Sequence, residues 1–232
     1  MPGLDPGIHQ KKCLARQIDC RVKPGNDAGE VMMQIRSTWM LYVAMIICGS
    51  LAHAADIAAG KEKAELCVGC HGEGGISQTE NIPSLAGQPD QFIQWQLVFF
   101  RSGTRKSEEM QPVVEQISNE DIRNLGVYLA SLTPPKPPAP DDNPDLSRKG
   151  AEAAAGRRCA SCHTDTYAGT KAVARLAGQR EDYLLKALRA YKSGVRSGGS
   201  MAAMAEVAYP LSEEEITALA HFLAHFSSSN PH

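Results

Sequence analysis

Apolar residues recur at helical spacing in two places along the chain. Ile122, Leu125, Leu129 and Leu132 lie on one stripe, and Ile216, Leu219, Leu223 and Phe226 on another. Each stripe opens behind a capping-box pattern, Ser118 with Asp121 and Ser212 with Glu215, which supplies a helix start. Two earlier helices are predicted over Asp90–Phe100 and Glu181–Tyr191, and strand-like alternation is absent. Between the halves, Thr133–Pro144 holds six prolines in twelve residues, too few backbone donors for a helix or central strand, so residues 134–149 read as a semi-rigid linker.

The halves are repeats. Leu85-Ala-Gly-Gln88 returns as Leu176-Ala-Gly-Gln179, and Ser102-Gly-Thr-Arg105 as Ser193-Gly-Val-Arg196. Cys67-Val-Gly-Cys-His71 returns as Cys159-Ala-Ser-Cys-His163. A helical unit of about 80 residues is near the lower limit that an apolar core alone stabilises, so each half needs a further staple.

The beginning of the chain reads differently. Residues 1–31 are turn-rich, with no apolar period, and resemble translated repeat DNA, which makes Met32 or Met33 the expected start. Residues 32–54 read as a signal peptide: Arg36, the apolar run Trp39–Leu51, then Ala52-His53-Ala54 as the cleavage site. Thirteen apolar residues fall short of the roughly 20 of a membrane span. Export to the periplasm is therefore expected, leaving residues 55–133 and 150–232 as two domains.

Export removes Cys13, Cys20 and Cys48, so the four remaining cysteines all sit in the two motifs. Structural zinc would pair such knuckles within about 15–20 residues, whereas these lie in separate domains. A thioredoxin-like pair would need a βαβ setting, and short disulfide loops would leave both histidines unexplained. Covalent haem attachment uses all three residues: two thiols three apart for the vinyl groups and a histidine placed to reach the iron. Cys67, Cys70, Cys159 and Cys162 are thus the candidate attachment points of two haem c groups, with His71 and His163 as iron ligands.

The second axial ligand falls to methionine. Met110 is the first half's one candidate after cleavage, and the second half offers Met201 and Met204. Counting back from the last helix favours Met204, with the extra residues accommodated near Gly198-Gly-Ser200. Met201 then reads as a loop methionine at the haem edge. His221 and His225, at i and i+4 without an accompanying glutamate, read as surface or haem-edge packing. Trp95 reads as core, and Arg105 and Arg196 as either propionate partners or solvated loop residues.

With these motifs the chain resembles the tandem dihaem class I c-type cytochromes of the cytochrome c4 type, over essentially all of 55–232. The resemblance implies an all-α fold of two cytochrome c domains with histidine–methionine iron. It also implies that Gly60 packs against Tyr128, with Phe222 as the later counterpart, and that the Pro83 carbonyl orients His71. Ala174 stands at the proline position of the second half.

Such a protein carries single electrons and is not an enzyme: a respiratory complex or dehydrogenase donates, and a terminal oxidase accepts, and those partners offer a route to membrane association. Two alternatives stay open, a dihaem peroxidase and a docked cytochrome subunit of a periplasmic dehydrogenase. Residues 55–133 carry 6 basic and 11 acidic side chains and residues 150–232 carry 9 and 8, an asymmetry suited to two different partners. Nucleic-acid binding would call for a strong basic patch, which this charge balance does not supply.

Overall fold

A computed structural model describes residues 54–138 and 140–227. The leader and signal-peptide readings over 1–53 lie outside the described residues.

The first half contains α1 (Ile57–His71), α2 (Asp90–Arg101), the single turn α3 (Gln111–Val114) and α4 (Asn119–Ser131). The second contains α5 (Pro144–Gly156), the short α6 (Ala160–His163), α7 (Glu181–Lys192), α8 (Ala202–Ala208) and α9 (Glu213–His225). No strand occurs among the described residues; one isolated bridge joins Thr170 and Val173.

Helix starts are set by side-chain caps. Asp56 accepts from the amides of Ala58 and Ala59 at the head of α1, and both capping boxes are formed, at α4 and α9. Asn143 caps α5, whose first residue is Pro144. The linker therefore ends near Asn143 rather than at 149: proline is pre-organised for the first helical position, so the last proline of the run starts a helix.

Within each half the first helix crosses the last at a glycine. A Cβ on Gly60 would lie 2.1 Å from the Asn124 carbonyl oxygen and 2.8 Å from Tyr128 Cβ. One on Gly150 would lie 2.1 Å from the Ala218 oxygen and 2.4 Å from Phe222 Cβ. Two cores flank these crossings, one around Phe100, Val114, Ile122 and Leu125, the other around Leu184, Leu211, Ile216 and Phe222. Trp95 corrects expectation: it is 48% exposed and stacks on Phe99 with ring centroids 5.5 Å apart. It lies at position i−4 from Phe99, toward the edge of the helix's apolar face, so the stack covers only one side of the indole.

Candidate functional site

Each cysteine pair ends in a buried histidine held by a carbonyl. His71 Nδ1 lies 2.8 Å from the Pro83 oxygen, and His163 Nδ1 lies 2.8 Å from the Ala174 oxygen. A carbonyl only accepts, so Nδ1 carries the proton and donates, leaving Nε2 with a free lone pair. Burial is the main cause pushing both imidazoles below their ordinary pKa, which keeps them neutral. Ala174 serves as well as Pro83, because only the main-chain oxygen is used.

The thiols form no disulfides, with Cys67 and Cys159 half-buried and Cys70 and Cys162 exposed. Burial raises the pKa of Cys67 and Cys159. In the first half the motif ends a continuous α1; in the second, the helix breaks at Gly156, and Arg158 adopts φ 56° before α6.

The methionines separate by environment. Met110 and Met204 are half-buried, four residues ahead of the fully buried Val114 and Ala208 respectively. Met201 is buried, and its sulfur accepts from Arg196 Nε at 3.5 Å. The inserted glycines pack across to the first half: a Cβ on Gly198 would lie 2.5 Å from Thr104 Cγ2, and one on Gly199 3.1 Å from the Phe99 ring.

Both repeat-block arginines converge between the halves. Arg105 and Arg196 donate to the same Gln96 Oε1 (2.7 and 2.9 Å) and to the same Tyr183 hydroxyl (3.1 and 3.4 Å). Arg105 stacks over Phe100 and Arg196 over Tyr191. Arg196 is only 6% exposed, which removes the solvated-loop reading for it. Neither guanidinium has a carboxylate partner among the described residues. Desolvation alone would raise the Tyr183 phenol, but the two guanidiniums outweigh it and bring it down to about 7.

The Leu-Ala-Gly-Gln blocks clasp the halves reciprocally. Gln179 accepts the Ser84 amide (2.9 Å) and donates to the Ser84 carbonyl (2.8 Å). Gln88 accepts the Arg175 amide (3.0 Å) and donates to the Arg175 carbonyl (2.9 Å). Both glutamines are buried. Positive φ at Gly87 and Gly178 lets their amides bond the carbonyls of Leu129 and Leu223 while linker prolines pass close by.

His221 also departs from expectation. It is buried between Glu181, 3.1 Å from Nδ1, and Asp141, 3.0 Å from Nε2, while His225 Nδ1 bonds the His221 carbonyl at 3.0 Å. Burial alone would lower its pKa, but the two carboxylates outweigh it and raise it. The result is an imidazolium clamp that ties the linker to α7 and α9. Asp141 is held down to about 2: burial would raise it, and Ser147, the Asn143 amide and His221 overcome that.

A family model described as Cytochrome c matches residues 147–227. Cytochrome c4 of Azotobacter vinelandii is 33% identical over 190 residues, 75% of this chain and 90% of that protein. The chain belongs to the cytochrome c4 family. Reduced cytochrome c4 from Pseudomonas stutzeri has the same fold, with a TM-score of 0.69 at 28% identity over 75% of this chain and 100% of that one. A thiosulfate dehydrogenase electron acceptor of Thiomonas intermedia is 31% identical, over 78% of this chain and 89% of that protein. The chain carries covalently bound haem c and is a dihaem electron carrier. Its residues fit that cofactor: two neutral histidines with free Nε2, four unpaired thiols, and two arginines without acids, a donor set suited to the carboxylates of a macrocycle.

Proposed function

We propose that this protein works in the periplasm, taking single electrons from a respiratory-chain donor and passing them to a terminal acceptor such as an oxidase. In this reading residues 1–31 lie ahead of the true start, a signal peptide over 32–54 is cleaved near Ala54, and the domains are 55–133 and the segment from Pro144 onward. Cys67 and Cys70 attach one haem and Cys159 and Cys162 the other. His71 and His163 would hold the irons, with Met110 and Met204 as the further ligands.

The observation that carries this reading is the matched histidine geometry, Nδ1 donating to a carbonyl at 2.8 Å behind each cysteine pair. Bound haem c supplies a one-electron Fe(III)/Fe(II) couple. The chain's own part would be to fix each imidazole in its ligating tautomer and to offer Met110 and Met204 as the further ligands, which suits an electron carrier better than a substrate-binding iron. Met204 is supported over Met201 because Met201 already accepts from Arg196 and because Met204 and Met110 hold the same place relative to a buried anchor. That arrangement also weighs against a peroxidase, which needs one displaceable axial position.

An equilibrium redox titration of the loaded protein tests the assignment, followed through the charge-transfer band of a methionine–iron bond. Two high-potential transitions with that band are expected. Met110→Ala and Met204→Ala should each remove half of it, and Met201→Ala should leave it whole. Loss of half the band in Met201→Ala would transfer the ligand role to that residue, and a low-potential haem without the band would revive the peroxidase reading. The Thiomonas relative favours a second reading of the donor, a thiosulfate dehydrogenase. Rapid reduction of the oxidised protein by such an enzyme supplied with thiosulfate would select it; no reduction would remove it.

A further inference from the structure

We propose that Gln88 and Gln179 are positioning residues, each of which tunes the iron ligand of the opposite half through one shared peptide group. The proposal rests on His71 and His163 being the iron ligands.

The Pro83 carbonyl that accepts from His71 and the Ser84 amide that donates to Gln179 belong to one peptide unit. The Ala174 carbonyl that accepts from His163 and the Arg175 amide that donates to Gln88 likewise belong to one. A bond accepted from a peptide N–H polarises the group and makes its oxygen a better acceptor, and buried chains of such bonds strengthen one another. A better acceptor draws the Nδ1 proton harder, and the imidazole becomes a stronger donor at Nε2. Stronger donation favours ferric iron. The side-chain oxygen of Gln179 therefore lowers the potential of the first haem, and that of Gln88 lowers the potential of the second. Other bonds between the halves lack this connection: Phe92 to Lys171 and Asn81 to Asp182 share no peptide with a carbonyl that holds histidine.

Gln179→Leu removes the acceptor from the second half. The haem of the first half should become easier to reduce by about threefold, which is about 28 mV at 59 mV per tenfold, with the second-half haem unmoved. Gln88→Leu should do the reverse. Gln179→Glu keeps the acceptor oxygen, so the first-half haem should stay or become harder to reduce. Each potential is read from NMR resonances assigned to the individual haems during a redox titration, so the signal is a shift in the half that was not mutated.

A shift confined to the mutated half, no shift, or Leu and Glu variants moving the far haem upward together would overturn the relay and leave the ligand assignment intact. A native protein whose irons lack histidine ligation would overturn both.

Discussion

The first half bends around glycine where the second bends around tyrosine. Gly75, at φ 72°, offers its carbonyl to the amides of Leu85 and Ala86; Tyr167, at φ 50°, offers its own to Leu176 and Ala177. The backbone path is the same and the space around it is not. Beside His71 a cavity of about 460 Å³ opens, lined in part by Gly72, Gly74 and Gly75. In the second half the Tyr167 ring fills the corresponding side, edge-on to Phe222 and Phe226 at 5.6 and 4.8 Å. The residues after the histidines differ likewise: Gly72 (φ 80°, ψ 161°) is matched by Thr164 (φ 69°, ψ 161°), a conformation that is essentially glycine's own. One loop course is thus reached by flexibility in the first half and by packing set against strain in the second.

Tyr167→Ala should break this contrast most. Removing the ring from the aromatic trio should cost about 3–5 kcal/mol, read as a lowered denaturation midpoint, and relief of strain at a positive φ should offset little of it. A midpoint equal to the native one would mean that the ring does not support the second core. Thr164→Gly should sharpen the contrast in the other direction. Release from the glycine-only region should stabilise the second half by about 1 kcal/mol, whereas Gly72→Thr should destabilise the first, because any Cβ there would lie 2.0 Å from the Ile76 oxygen.

The smallest effect concerns His221, which has no counterpart in the first half, where Gly126, Val127 and Tyr128 occupy the matching turn of the last helix. Its folded pKa is raised, so the clamp is fully formed below the ordinary value of about 6.5. Its contribution fades as pH rises through the raised folded value. His221→Gln should flatten that part of the pH–stability curve measured by chemical denaturation; an unchanged slope would assign it to other groups.

Much of the fold was legible because helical periodicity and capping boxes are local. The stripes from Ile122 and Ile216 and the starts at Ser118 and Ser212 needed no knowledge of the partner half. The helices at Asp90 and Glu181 each run one residue past the expected end. The linker's end was misplaced because Pro144 can both close an extended run and open a helix. Gln88 and Gln179 carried a signal, since both close a repeated block, but a glutamine in a loop is ordinarily solvated, and its role appears only once the halves meet. His221 was misread for the same reason: its partners Asp141 and Glu181 lie 80 and 40 residues away in sequence.

The reciprocal clasp touches only main-chain atoms of the opposite half. After a duplication, two copies joined in this way are free to drift in side chain at every position the clasp contacts, so long as the loop keeps its course. Proline could become alanine at position 174's place in the repeat, and serine arginine at the next, without either copy losing its grip on the other. What such a pair must inherit together is a path through space and one glutamine apiece, which allows two copies to grow unlike each other while remaining one molecule.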